Sequence, residues 1–201
     1  PVLLSTFDEL GLHLLYAAYI SRALPATEEQ RAEAIQNFLN IAKANAGNIS
    51  SELTGTILMH LTRWGASAEV LEWKDIPAAE GNPFYIAAQF VYNDDLSKQE
   101  NRELAREFLK QVKRGDYFQM AANYYYGVGA HSMIYIADYD PQTDTVRWCD
   151  SNMKGEKRNG DRYGYVQYDA VKEIDWFVDA FCRKKHGATL YRLRDDIIYA
   201  P

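Results

Sequence analysis

The order in which hydrophobic patterns change along the chain is the feature that most restricts its fold. Across residues 1–66, apolar side chains recur at helical spacing, whereas residues 67–201 contain short runs of aromatic and β-branched residues between turn residues. Helices and strands segregated in this way predict an α+β fold, with an N-terminal helical part packed on an antiparallel β-sheet. A length of 201 residues suits a single domain that covers the whole chain.

Helix and turn signals divide each part into elements. Thr27 and Gln30 have the spacing of a capping box, and Gly47 follows the predicted end of that helix. The other predicted helices cover about 6–24, 51–64, 97–112 and 169–185, and the predicted strands cover 70–73, 84–92, 117–121, 132–138, 145–150, 165–168 and 188–193. Residues 155–164 are predicted to form a charged loop. The strand at 132–138 is apolar on both faces and should therefore be central in the sheet.

Composition excludes several classes of partner and site. The formal net charge is −6, which argues against a nucleic-acid partner because such partners select for a basic surface. No apolar run approaches the roughly 20 residues that a membrane helix needs, so no membrane span is expected. Two cysteines are too few for a disulfide framework or for a zinc site of their own. No signal-peptide pattern is present, and the first residue, Pro1, indicates a chain processed or cut from a longer one.

His131 and Asp150 form the pair with the clearest chemical meaning. His131 begins the predicted central strand, directly after the glycine-containing stretch 124–130, and Asp150 ends the strand that returns from the next turn. Adjacent antiparallel strands bring such residues face to face. An acid beside a histidine fixes the imidazole tautomer and stabilises the imidazolium, as in a catalytic triad. Because side chains alternate along a strand, Asn152 shares the side of Asp150, and Cys149 points to the opposite side.

A structural interpretation of the same stretch stays open. A histidine near a glycine turn is commonly a packed residue, and Asp-Ser-Asn after a strand is ordinary turn chemistry. The side chains of Tyr124, Tyr125 and Tyr126 form either an aromatic wall over a cleft or a packed loop. Cys182 follows Phe181 on the predicted late helix and is expected to be a core thiol.

These motifs resemble the second half of the papain-like cysteine amidases and peptidases, with the CHAP amidases as the nearest comparison. The features that carry the resemblance are Gly115-Asp116 before a strand, His131-Ser132 opening a hydrophobic strand, Asp150-Ser151-Asn152, and a closing strand at 187–192. The resemblance covers 114–194. It implies that His131 is the general base and that Asp150 orients it, with Asn152 as the competing candidate. The pattern also resembles, more loosely, secreted effector proteases and glutamine deamidases of pathogenic bacteria.

The resemblance also implies a nucleophilic cysteine at the start of the first long helix, where a helix N-terminus lowers the pKa of a thiol. The best-matching position holds His13, and no cysteine precedes Cys149. Three interpretations remain. The nucleophile is substituted at about residues 5–13, it lies upstream of Pro1, or it has been lost. Ser5 offers a hydroxyl in this region, although helix capping explains that residue better.

The function implied by the resemblance is a cysteine-peptidase-like amidohydrolase that acts on peptidoglycan peptides or protein, in a secreted or translocated bacterial toxin or effector. Attack of a thiol on an amide carbonyl requires neither a metal nor an organic cofactor, so none is expected. The implied partners are a peptide or peptidoglycan substrate and an inhibitor or immunity protein. Two alternatives stand beside this function: an inactive papain-like pseudoenzyme that acts as a binding module, and a glutamine deamidase of the same fold.

Overall fold

A computed structural model describes residues 27–47 and 84–193 of the chain. The elements predicted at 6–24, 51–64 and 70–73 lie outside the described residues, and so does His13. The chain divides into two compact units, one of residues 1–85, 149–168 and 193–201 and the other of residues 86–148 and 169–192. Most of the described residues belong to the second unit.

The described part of the first unit begins with helix α1 (Glu28–Ala44). The predicted capping box is present, because the Thr27 side chain accepts from the Gln30 backbone and the Gln30 side chain accepts from the Thr27 backbone. The face predicted to be apolar is buried at Phe38, Leu39 and Ala42. Gly47, at a φ of 83°, follows the helix and donates its backbone N–H to the carbonyl of Val166 at 2.8 Å.

Two long strands replace the charged loop predicted at 155–164. Strand β4 (Thr145–Arg158) and strand β5 (Asp161–Glu173) are joined by Asn159-Gly160, and both of these turn residues have positive φ angles. Asn-Gly is the preferred pair for a two-residue hairpin turn, because both residues tolerate the left-handed conformation that the strand twist requires. The loop prediction is therefore wrong, because the tight turn allows both strands to continue through the charged residues.

The late helix begins later than the sequence pattern predicted. Strand β5 runs to Glu173, and helix α3 covers Ile174–Lys184, so the prediction of helix from residue 169 is wrong. Asp169 has a φ of 59°, which a right-handed helix cannot contain, and its carboxylate accepts two hydrogen bonds from Arg147 at 2.7 and 2.6 Å. This ion pair links Asp169 to strand β4, so that the chain continues as a strand where helical periodicity alone predicted a helix.

Over the described residues, six strands form one sheet in the order β1-β6-β2-β3-β4-β5. The strands not yet introduced are β1 (Phe84–Phe90), β2 (Tyr117–Met120), β3 (His131–Tyr135) and β6 (Ala188–Leu193). Strand β2 pairs antiparallel with both β3 and β6. Every residue of β3 is buried, which confirms the prediction of a central strand. Helices combined with antiparallel strands confirm the α+β class.

Helix α2 (Lys98–Leu109) begins at a second capping box, between Ser97 and Glu100. Its buried face contains Ala105, Phe108 and Leu109. Leu104 precedes Phe108 by four residues, a spacing that predicts the same helix face, but it is 48% exposed. The buried stripe instead starts at Asn101, whose side chain bonds the backbone N–H and carbonyl of Asn93, both at 2.9 Å. A satisfied polar residue therefore occupies the place where the hydrophobic pattern predicted leucine.

An aromatic cluster fills the space between the sheet and helices α2 and α3. The Phe118 ring, on β2, lies 6.3–6.4 Å from the rings of Phe108, Phe177 and Phe181. Phe181 also stacks on Phe90 of β1, with ring centroids 5.6 Å apart. Complete burial of one such side chain stabilises the fold by about 1.5–3 kcal/mol, so this cluster is the dominant core of the second unit.

Candidate active site

His131 is the first residue of strand β3, and its side chain is only 7% exposed. The register places it opposite Met120 of β2, which is itself opposite Ala188 of β6. Cross-strand partners share a face of the sheet, so His131 lies on the same face as Phe118 and Met133, two residues along. The His131 imidazole is therefore at one end of the row of side chains that faces the core, and little of it is exposed to solvent.

The Gly115-Asp116 motif enters β2 beside the far end of β3. The Gly115 N–H donates to the carbonyl of Tyr135 at 2.8 Å, and the Tyr135 N–H donates to the carbonyl of Asp116 at 3.0 Å. The φ of Gly115 is 88°, in the region that favours glycine. This residue lets the chain turn into the strand that pairs with the histidine strand.

The Asp116 side chain is buried and acts as a clamp between strands. Its two oxygens accept hydrogen bonds from Nε and Nη2 of Arg192, both at 2.7 Å, and Oδ2 also accepts from the backbone of Lys113 at 2.9 Å. Burial raises the pKa of Asp116, and the bonds and charge of Arg192 oppose that change. The Gly115-Asp116 motif therefore has a structural role, because the ion pair of Asp116 with Arg192 links the start of β2 to β6.

A hydrogen-bonded cluster on the opposite face of the sheet contacts the backbone of His131. Gln119 Nε2 donates to the His131 carbonyl at 3.3 Å. Gln119 Oε1 accepts from the hydroxyls of Tyr117 and Ser132, both at 2.9 Å. This cluster was not predicted from the sequence, although alternation of polar residues at 117 and 119 with Phe118 is the signal that could have indicated it.

The β2–β3 hairpin continues beyond His131 and ends in exposed tyrosines. Asn123 and Val128 pair through two backbone hydrogen bonds of 2.9 and 3.0 Å, in the same register as β2 and β3. The tip between them contains a 3₁₀ turn, and the side chains of Tyr124 and Tyr125 are 82% and 89% exposed. They are therefore not a packed loop. Three residue pairs separate Val128 from His131, which corresponds to about 10 Å along the hairpin.

The C-terminus of helix α3 supports this hairpin tip. Asn123 Nδ2 donates to the carbonyls of Lys184 and Lys185 at 3.2 and 2.8 Å, and Lys184 Nζ donates to the carbonyl of Tyr126 at 3.0 Å. The side-chain amide thus satisfies carbonyls that a helix end leaves unpaired. The exposed tyrosine rings therefore project from a turn whose backbone is fixed by the Asn123–Val128 pairing and by hydrogen bonds to the end of helix α3.

Asp150 and Asn152 both lie on strand β4, as predicted. Asp150 is completely buried, and so is Cys149 beside it. The predicted orientation of Cys149 away from Asp150 and the predicted facing of His131 and Asp150 stay predictions, the latter because the two residues belong to different compact units. The role of Asn152 likewise stays a prediction.

The remaining thiol lies in helix α3. Cys182 is buried in helix α3, as predicted, and burial raises the pKa of its thiol. Within residues 27–47 and 84–193, no group of three or more histidine, cysteine or acidic side chains is arranged to hold a metal ion. No helix in the same ranges is both long and apolar enough to cross a membrane.

Comparisons with protein-family models, with curated proteins and with solved structures found no match for this chain.

Proposed function

We propose that this chain carries the histidine half of a papain-like cysteine amidohydrolase, with His131 as general base and Asp150 as the residue that orients its ring. The observation that carries the proposal is the arrangement of the β2–β3 hairpin. A buried histidine opens the central strand, and the clamped Gly115-Asp116 strand pairs beside it in the order that the amidase pattern requires.

In this function His131 accepts the proton of a cysteine thiol, and the thiolate so formed attacks the carbonyl carbon of an amide. Residues 1–148 contain no cysteine to supply this thiol. Collapse of the tetrahedral intermediate breaks the C–N bond, and the imidazolium gives its proton to the leaving amine. Water then hydrolyses the thioester with His131 again as base, which releases the acid and restores the thiol. If the substrate is a glutamine side chain, the leaving amine is ammonia and the same steps amount to deamidation.

The exposed tyrosines at the hairpin tip provide a contact for the substrate. Tyr124 and Tyr125 offer large apolar rings at low cost in side-chain entropy, on a turn that is already ordered. They lie beyond Val128, more than about 10 Å along the hairpin from His131, a position that suits residues that bind the substrate away from the reacting amide.

The first experiment measures amide cleavage by the full natural chain. Intact peptidoglycan and an unfolded protein serve as hydrolysis substrates, and ammonia release from a glutamine peptide reports deamidation. We expect iodoacetamide to abolish the activity, and His131→Ala to lower kcat by about 10²- to 10⁴-fold, the usual contribution of a general base. Cys149→Ser is the matched control and should retain activity, because Cys149 is a buried thiol outside the proposed machinery.

Activity that survives His131→Ala, or that disappears in Cys149→Ser, would contradict the assignment of roles. For the substrate contact, Tyr124→Ser combined with Tyr125→Ser should raise KM more than it lowers kcat. Tyr85→Ser, which removes an exposed tyrosine from edge strand β1, should change neither constant.

A second experiment separates Asp150 from Asn152 and needs no substrate. The imidazole pKa of His131 is measured by NMR titration in the parent chain and in the Asp150→Asn and Asn152→Ala variants. A carboxylate beside an imidazole favours the charged form, so Asp150→Asn should lower the pKa of His131 while Asn152→Ala leaves it close to that of the parent. The reverse result would assign the orienting role to Asn152.

The alternative is a pseudoenzyme that binds its target without cleaving it, and His13 at the position expected for the nucleophile favours this function. Binding to peptidoglycan that is unaffected by His131→Ala, together with the absence of any iodoacetamide-sensitive cleavage, would support the alternative.

A further inference from the structure

A groove of about 680 Å³ lies against helices α2 and α3 and contains no residue of the candidate site. This volume falls within the roughly 300–1,000 Å³ typical of pockets that bind small molecules. The side chains that define the groove come from the first part of α2 and from one side of α3: Lys98, Arg102, Trp176, Asp179, Cys182 and Arg183.

Two positive charges in this groove are uncompensated. Arg102 is hydrogen-bonded to Asp179 and lies 3.7 Å from Asp175, so its charge is balanced. Lys98 and Arg183 have no ion-pair partner in the part of the chain that the structure describes. Two free cations lining one groove are unexpected on a chain whose net charge is −6.

The charge of Lys98 also reaches the buried part of the groove. The positive charges of Arg102 and Lys98 act to lower the pKa of the Cys182 thiol, against the larger opposite effect of burial. Lys98, Arg102 and Cys182 line the same groove, and only Cys182 among them is buried, at 6% exposed. Lys98 and Arg183 are exposed at the groove, where they can form charge-assisted hydrogen bonds to an anion.

An aromatic ring completes the groove. Trp176 is 45% exposed, although large aromatic side chains are usually well covered. Lys172 Nζ lies 5.9 Å from the centroid of its ring. The indole is thus in contact with Lys172 and Phe177 but still presents exposed apolar surface on the same groove as the two unpaired cations.

We propose that this groove binds a small organic anion that has a flat apolar ring, with the anionic group between Lys98 and Arg183 and the ring against Trp176. Charge complementarity selects the anion, and the exposed indole selects the ring. The proposal is independent of the function assigned to His131.

The test uses three probes and isothermal titration calorimetry. 2-Naphthoate carries both a ring and a carboxylate, 2-naphthalenemethanol carries the ring alone, and inorganic phosphate carries charge alone. We expect 2-naphthoate to bind at least about tenfold more tightly than either of the other probes, because charge-assisted hydrogen bonds and ring contact both contribute. The indole N–H resonance of Trp176, assigned through Trp176→Phe, should shift on addition of 2-naphthoate.

Two variants and one control locate the bound probe. The double variant Lys98→Gln, Arg183→Gln should weaken 2-naphthoate binding by about tenfold or more, and Trp176→Ala should weaken it by a similar factor. Lys110→Gln is the control, because Lys110 lies just after helix α2 but is paired with Glu107 and does not line the groove. Circular dichroism establishes that each variant keeps its fold.

Equal affinity in the parent and in the double variant would overturn the proposal, and so would the absence of 2-naphthoate binding at millimolar concentration. Binding of an acidic peptide without binding of 2-naphthoate would also overturn it, since the groove would then be a surface for a protein partner.

Discussion

The two faces of the central strands in the second unit are built from different interactions. One face carries Phe118 and Met133 and packs on the aromatic side chains of α2 and α3, where close packing of apolar area provides the stability. The other face carries Gln119, Ser132 and Thr189, which are connected to their neighbours by side-chain hydrogen bonds. The stability of one face thus depends on close packing of side-chain volume, and the stability of the other depends on pairing of hydrogen-bond donors with acceptors.

The two faces should respond differently when a mutation removes one of their contacts. An apolar contact can be lost gradually as neighbours relax, although a residual cavity still costs free energy. A buried hydrogen-bonded group that loses its partner keeps the whole cost of having left water. On the first face, the loss of unfolding free energy should therefore increase with the side-chain volume that a mutation removes. On the second face, it should increase with the number of buried polar groups left without a partner.

The largest effect is expected on the aromatic face. Phe181→Ala removes a completely buried ring that contacts four other phenylalanines, and we expect it to lower the free energy of unfolding by about 3–5 kcal/mol. Urea denaturation measures the change. Tyr124→Ala, which removes an exposed aromatic ring, serves as the control and should fall within about 0.5 kcal/mol of the parent chain. If Phe181→Ala lowered the free energy of unfolding by no more than the control does, the aromatic cluster would not be the main core.

An intermediate effect is expected on the polar face. Gln119→Leu keeps most of the volume but removes the acceptor of the Tyr117 and Ser132 hydroxyls and the donor to the His131 carbonyl. We expect a loss of about 1–3 kcal/mol in the free energy of unfolding. Adding Ser132→Ala and Tyr117→Phe should then recover part of the loss, because fewer buried groups stay unpaired. A further loss in the triple variant, equal to the sum of the single changes, would contradict the difference between the two faces.

The smallest effect concerns pH and sharpens the description of the aromatic face. His186 is buried with its ring 5.0 Å from that of Phe181, and burial lowers the pKa of the imidazole below its ordinary 6.5, against an opposing backbone hydrogen bond at Gly187. The unfolded chain therefore binds a proton at higher pH than the folded chain does. Stability should begin to fall as the pH drops below about 6.5, and this loss is complete once the pH is below the folded value.

His186→Leu tests this expectation, because it replaces the imidazole by an apolar side chain of similar size. Thermal unfolding is followed in both chains from neutral to mildly acidic pH. The variant should lose less stability than the parent over that interval. Identical pH profiles would show that His186 does not contribute to acid sensitivity.

Much of the fold could be predicted from local signals. The capping box at Thr27 and the buried central strand beside His131 depend on nearby residues, and the structure contains both. The capping box at Ser97 was not predicted, although its spacing to Glu100 is an equally local signal. The predictions were wrong where a residue distant in sequence, or a tight turn, determines the secondary structure. Asp169, at a φ of 59°, lies within a strand and pairs with Arg147, and Asn159-Gly160 lets two strands run through charged residues.

The candidate site divides in the same way. The position of His131 at the head of a central strand follows from periodicity, because apolar residues on both faces indicate a buried strand. The Gln119 cluster and the groove beside Trp176 could not be read from the chain order. The cluster depends on which strands become neighbours, and the groove depends on how two helices pack.

The strand order has a consequence for when this protein can fold during synthesis. Strand β6, the last strand of the described chain, lies between β1 and β2, which precede it by roughly seventy to a hundred residues. Until Ala188–Leu193 leave the ribosome, β1 and β2 each lack the strand that β6 provides as a neighbour, and Asp116 cannot form its ion pair with Arg192. The sheet is therefore completed only after residues 188–193 have been synthesised, and a nascent chain stalled before residue 188 should expose two strand edges that promote aggregation.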